Sequence, residues 1–172
     1  MTAHTRRWLL ASGAAAGATM LSEVTVGASP ERDHGPQHAV AAQERRNRAE
    51  VTKAFARQNV GGSVYDVLDD DVEWTIVNGS TYTSKSEFLS QGAAPILDRL
   101  SSPLAMTIRD LWTHRDVVII HFDGDATALD GKPYRNEYCW IWQLRNDKVV
   151  RCNAFLDLVV IRELIDRVDL DR

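Results

Sequence analysis

His121 and Asp123 stand two residues apart in the run VVIIHFDGDATAL. A carboxylate beside an imidazole can hold the ring in one tautomer and raise its pKa, which makes a general acid or base. A second set lies in the hairpin from Tyr134 to Leu158, where Asn136, Tyr138, Trp140 and Trp142 alternate along one strand. Aromatic rings beside a few polar groups are what a pocket wall offers a small apolar ligand. The chemistry expected is cofactor-free proton transfer by His121 and Asp123, with Tyr138 or Asn136 orienting an oxygen. Trp74, Asn136, Tyr138, Trp140 and Cys152 are the expected ligand contacts. There is no Gly-rich phosphate loop and no GxSxG elbow. His114 and His121 suggest no third ligand, and Cys139 and Cys152 lack metal-site spacing, so neither a metal nor a cofactor is expected.

Whether these residues meet depends on strand register. If Arg145-Asn146-Asp147 is a three-residue turn, Leu144 pairs with Lys148, Trp140 with Cys152 and Tyr138 with Ala154. The inward face then carries Asn136, Tyr138, Trp140, Trp142, Val150, Cys152, Ala154 and Leu156, with Glu137, Cys139, Arg151 and Asp157 outside. The two cysteines point to opposite faces, which excludes a disulfide between them in this register. Pairing Leu129 with Tyr134 across Asp130-Gly131 puts His121 opposite Trp142 and Asp123 opposite Trp140, inside the pocket. The opposite alternation buries Val118, Ile120 and Phe122 and turns His121, Asp123 and Asp125 to solvent. It is equally clean, and both registers stay open.

The elements that must position these groups follow from periodicity and turn chemistry. Ala39 to Asn59 places apolar residues at helical spacing and ends at Gly61-Gly62. Ser63 to Leu68 is a short second helix, closed by Asp69-Asp70-Asp71, which lacks the spacing of a calcium loop and reads as a solvated turn. Val72 to Val77 alternates as a strand and stops at Asn78-Gly79. Ser84-Lys85-Ser86-Glu87 is a capping box that opens a helix towards Leu100, with Pro95 as a kink or break. Strands follow at about 104–113, 117–128, 134–144 and 148–158, and residues 159–168 form a closing helix. Helices first and an antiparallel meander after them give an α+β fold with helices covering one face of a curved sheet.

With 172 residues, 44% apolar and 26% charged, the chain suits one soluble domain with its own core. The net charge of −4 argues against a nucleic-acid partner. Residues 1–28 differ in kind. Arg6-Arg7 precede a mildly apolar stretch, and Val26-Gly27-Ala28 offers a small-residue cleavage site. The segment resembles a twin-arginine signal, although Ala11 and Glu23 depart from that pattern. Export to the periplasm or the extracellular space is expected; the alternative is a cytoplasmic protein that starts at Met20. No membrane contact beyond export is expected. Residues 29–38 read as a disordered leader, and the folded domain as 39–172.

The order of these elements and several local motifs resemble the SnoaL-like family of the nuclear transport factor 2-like superfamily. The residues that carry the resemblance are Leu68 to Thr75, Tyr82 with Phe88, Asn136 with Tyr138, Asn146 to Val149, and Phe155-Leu156-Asp157. The resemblance implies an α+β cone, a curved antiparallel sheet wrapped around N-terminal helices with an internal pocket, and a homodimer formed through the sheet. It also implies ligands that are small and apolar, polycyclic ones included. Ketosteroid isomerases, polyketide cyclases and limonene epoxide hydrolases are relatives. The isomerase base falls near Ile76 and its partner acid near Trp140. Of the hydrolase set, His121 and Asp123 fall near the Arg-x-Asp pair, and the second carboxylate falls on Ala154. The cyclase acid has Asp157 as its candidate. No relative's catalytic set is intact, so a cofactor-free isomerase, cyclase or hydrolase and a non-catalytic binding or dimerisation module both remain open.

Overall fold

Helix α1 (Gly35–Gln58) carries Val51, Ala54 and Phe55 on one buried stripe, as the helical spacing requires. A computed structural model describes residues 35–170; the signal-like segment, and most of the leader, lie outside the described residues. Residues 35–38, expected in that leader, belong to α1. The helix stops where Gly61 takes a left-handed φ of 91° and the Gly62 N–H returns to the Arg57 carbonyl at 2.9 Å.

Ser63 accepts from the Tyr65 N–H and starts a 3-10 turn (Val64–Val67), which buries Tyr65 under the sheet. Strand β1 (Leu68–Ile76) follows at once, so Asp69-Asp70-Asp71 lie within a strand and not in a closing turn. A register shift against the neighbouring strand between Leu68 and Glu73 leaves Asp70 and Asp71 solvated. After β2 (Thr81–Tyr82), Ser84 accepts from the Glu87 N–H while the Glu87 carboxylate accepts from the Thr83 N–H at 2.7 Å. The capping box is thus real, but the single long helix is not. Helix α2 (Lys85–Glu87) runs into a π turn (Phe88–Ala93) and then α3 (Ala94–Leu97), with Pro95 in the first turn of α3. Pro95 brings no N–H, and the Gln91 carbonyl one turn earlier accepts the Tyr82 hydroxyl at 3.4 Å instead.

The remaining strands are β3 (Ala105–His114), β4 (Val117–Thr127), β5 (Pro133–Arg145) and β6 (Lys148–Leu156), followed by α4 (Leu158–Arg167). They build a six-stranded sheet in the order β2-β1-β6-β5-β4-β3, antiparallel except for the parallel pair β1 and β6. The architecture is α+β, with the helices on the inner face of a mostly antiparallel sheet.

Two registers differ from those expected, with different consequences. The β5–β6 turn is two residues, Asn146 and Asp147, both with positive φ, so Trp140 pairs with Ala154 and Trp142 with Cys152. That displacement is even along most of the hairpin, so Asn136, Tyr138, Trp140, Trp142, Cys152 and Ala154 keep the inward face. A shift near the turn exchanges Val150 for Val149 as the buried valine. Cys139 and Cys152 are free and on opposite faces. Between β4 and β5 the connection is longer than expected. Thr127 pairs with Pro133, and Ala128 leaves the strand to bridge Leu100. His121 therefore faces Cys139 and Asp123 faces Glu137, an odd displacement that reverses the face. Val118, Ile120 and Phe122 are fully buried, Phe122 against Phe55 of α1, and His121 and Asp123 lie on the outer face.

Gly124 sits on the buried side of β4, where an added Cβ would lie 2.8 Å from Tyr138 Cε2 and 3.2 Å from Leu104 Cδ1. Tyr138 cannot swing away cheaply, because it stacks on Phe122 at 4.8 Å and bonds to Tyr134. Gly124→Ala is expected to lower stability by about 1–3 kcal/mol through overpacking, read from urea unfolding at neutral pH.

Candidate functional site

Trp74, Trp140 and Phe88 form the aromatic heart of a small cavity between the sheet and the helical segment 85–97. β1 brings Trp74 and Ile76, β5 brings Tyr138 and Trp140, and β6 brings Ala154 and Leu156, all by strict alternation. The π turn brings Phe88, whose ring stacks on Trp74 at 4.0 Å, while Trp140 meets Trp74 edge-on at 5.0 Å. The same π turn places Gly92 and Ala93 in this wall. Gly92 is needed beneath it, since a Cβ there would stand 2.8 Å from both Phe88 and Tyr82.

The free volume is about 40 Å³, room for a few waters and less than a drug-sized ligand occupies. Among the described residues that line it, none is an acid, a histidine, a lysine or an arginine. The tyrosines among its lining residues are Tyr65 and Tyr138. Burial pushes both phenols well above the ordinary tyrosine value, and the neighbouring Tyr134 adds to it in each case. They stay protonated at neutral pH, as hydrogen-bond donors and not bases.

Of the residues expected from sequence, Trp74, Tyr138 and Trp140 line the cavity. Asn136 and Cys152 are buried but do not. Asn136 is occupied elsewhere: its Nδ2 donates to the Asp157 carbonyl at 3.0 Å, and its Oδ1 accepts from the Asp157 N–H at 3.1 Å, tying β5 to the start of α4. Cys152 stands opposite Trp142, and burial pushes its thiol well up. Tyr65 and Phe88 are wall residues missing from the expected contacts. The Phe88 signal was present as an apolar position on the capped helix, whereas nothing local marks Tyr65.

The proposed acid–base pair is a correction. His121 and Asp123 sit on the opposite side of the sheet from the cavity, in an ionic network with other strands. His121 Nε2 meets Glu137 Oε1 at 2.7 Å and its Nδ1 meets Asp110 Oδ2 at 3.4 Å. Arg109 Nε donates to Asp123 Oδ2 at 2.6 Å. The hydrogen bond to Glu137 is the main cause of a raised His121 pKa. Asp123 is committed to Arg109, so it does not orient the imidazole.

Ile76, Trp140 and Ala154 all line the cavity and all are apolar. Asp157 is the N-cap of α4, accepting from the Val159 N–H at 2.8 Å.

A SnoaL-like domain model matches residues 48–152, and the chain belongs to that family. Solved structures share the fold at low identity. A putative hydroxylase, AclR, from Streptomyces galilaeus superposes with a TM-score of 0.60 at 11% identity, over 73% of this chain and 88% of its own. A putative SnoaL-like polyketide cyclase from Jannaschia sp. CCS1 gives 0.59 at 12%, over 74% and 96%. TerC, co-crystallised with polyporic acid, gives 0.57 at 19%, over 70% and 98%. No curated protein matches the sequence.

The raised His121 pKa has a sign that can be checked. Its pairing with Glu137 and Asp110 stabilises the fold fully below the free-imidazole value of 6.5, and that contribution is lost as pH rises through the raised value. His121→Ala is expected to flatten the fall in stability across neutral pH, in urea unfolding at a series of pH values. Near-UV circular dichroism of the cavity aromatics should not change. A loss of that signal would contradict the outer placement.

Proposed function

We propose that this SnoaL-like domain binds a small, mostly apolar molecule in the aromatic cavity, as a binding protein without a general base of its own. The observation that carries this reading is that Ile76, Trp140 and Ala154, where relatives' carboxylates would fall, line the cavity as apolar side chains. Proton transfer between carbons or to an epoxide needs a group that titrates near the working pH. The phenols of Tyr65 and Tyr138 are held protonated by burial, so they do not supply one. That TerC was crystallised with polyporic acid gives a precedent for ligand binding on this fold.

The free volume of about 40 Å³ sets what must happen on binding. A ring-sized or polycyclic molecule enters only if Phe88 leaves its stack on Trp74, and the π turn that carries Phe88 is the wall suited to move. Tryptophan fluorescence titrated with benzene, naphthalene and phenanthrene is expected to show saturable binding of the smaller probes. Ala154→Leu, which fills the cavity, should weaken binding by about tenfold or more while the circular dichroism spectrum is kept. Undiminished binding to that variant would place the ligand elsewhere.

The outer face supports a second proposal, pairing of two copies through the sheet. Trp112, Ile119 and Ile141 form one cross-strand row there, and Trp112 and Phe155 are 52% and 45% exposed. Exposed aromatics on a charged sheet surface mark an association site. Sedimentation velocity is expected to give a dimer that the double variant Trp112→Glu, Ile141→Glu converts to monomer; a monomeric wild type at micromolar concentration counts against it.

A further inference from the structure

Tyr134, which does not line the cavity, is buried beside it, and its hydroxyl lies 2.7 Å from that of Tyr138. The direction of this bond is set from outside. The Asp157 N–H donates to Asn136 Oδ1, so the amide turns its NH₂ group the other way. That NH₂ group donates to the Asp157 carbonyl and, at a longer 3.4 Å, to the Tyr134 oxygen. Tyr134 is 1% exposed, and its hydroxyl has no acceptor other than Tyr138 among the described residues. A buried hydroxyl proton without an acceptor is costly, so the Tyr134 proton goes to the Tyr138 oxygen. The proton of Tyr138 is then left over, on a residue that forms part of the cavity wall.

We infer that the chain Asn136→Tyr134→Tyr138 makes Tyr138 a fixed donor, so the cavity selects molecules that present an acceptor oxygen, such as a ketone, quinone or lactone, over the matching hydrocarbon. The inference rests on the binding role proposed for this cavity and names the chemistry of its ligand. Tyr138 is the residue that touches the ligand, and Tyr134 and Asn136 are positioning residues. A donor whose own oxygen already accepts a hydrogen bond is polarised and donates more strongly. The stack of Tyr138 on Phe122 at 4.8 Å, together with the close packing of Gly124, holds the ring in place, so the acceptor must come to the donor.

Cyclohexanone and methylenecyclohexane have nearly the same shape and differ in the group that can accept, which makes them the probes. Titrated by tryptophan fluorescence, the wild type is expected to bind the ketone about tenfold more tightly, the size of one hydrogen bond made in a buried site. The infrared carbonyl stretch of bound cyclohexanone should lie below its value in hexane. Tyr138→Phe should remove both the preference and the shift while methylenecyclohexane still binds, which shows that the cavity survives. Tyr134→Phe should leave part of the preference and a smaller infrared shift, since Tyr138 still donates but is no longer polarised. Equal affinity of wild type for the two probes overturns the donor assignment and leaves the cavity as a binding site. An unshifted stretch in the bound ketone overturns it too. Binding of neither probe overturns the proposed binding role itself.

Discussion

Phe122 and Tyr138 are direct partners across β4 and β5, and their rings lie face to face at 4.8 Å, within 5° of parallel. Phe55 of α1 meets the same Phe122 edge-on at 4.9 Å, and Trp140 meets it at 4.6 Å. This contact locks the helix to the sheet and fixes which side of β4 is inside. Everything functional hangs from that choice, because a strand has two faces and one register parity selects between them. With Phe122 inside, Gly124 must also be inside and must lack a side chain. His121 and Asp123 must then be outside, and Tyr138 is held where its hydroxyl reaches Tyr134. The geometry of the cavity is a consequence of one aromatic stack.

The polar groups that remain on the inner side are arranged so that few lack a partner. Asn136 exchanges two hydrogen bonds with the backbone of Asp157 and so couples the central strand to α4, whose first turn Asp157 caps. Tyr134 and Tyr138 share one hydrogen bond between their hydroxyls. Burial removes acid–base chemistry from both tyrosines by keeping them neutral, and leaves them as donors of fixed direction. The same low-dielectric wall that makes the site attractive to an apolar ligand therefore makes a hydrogen bond inside it more discriminating. A carboxylate in this environment would carry a raised pKa; the wall instead presents Ile76, Trp140 and Ala154.

The outer face is organised by the opposite economy. Glu73, Arg109, Asp123, Asp125, Arg135, Glu137 and Arg151 form cross-strand ion pairs in the open, each of small individual worth in water. Their role is better understood as solubilising and register-setting around the apolar row of Trp112, Ile119 and Ile141. His121 lies between Glu137 and Asp110 in that network, and this is why a histidine two residues from an aspartate resembles a catalytic pair in sequence without being one in space.

Turn residues, caps and alternation were legible in the chain because they are local. Gly61 at a helix end, Ser84 as a cap and the inward set Tyr138, Trp140, Cys152 and Ala154 follow from sterics and a period of two. The inward set is the same for a three-residue turn at 145–147 and for the two-residue turn at Asn146 and Asp147, because the two registers differ by an even number along most of the hairpin. The face of His121 and Asp123 was not legible. Both alternations of β4 are regular, and the connection at 128–132 has a length set by Ala128 bridging Leu100, a contact distant in sequence. The π turn and the burial of Tyr65 were also decided by packing, since each depends on what lies across the cavity and not on the residues beside it. Sequence alone determined the α+β family fold and the aromatic wall, because alternation and turn chemistry are backbone properties. Tertiary structure alone decided that His121 and Asp123 stand on the outer face while Tyr138 lines the cavity, because only the α1 and Phe122 contact chooses the parity of β4.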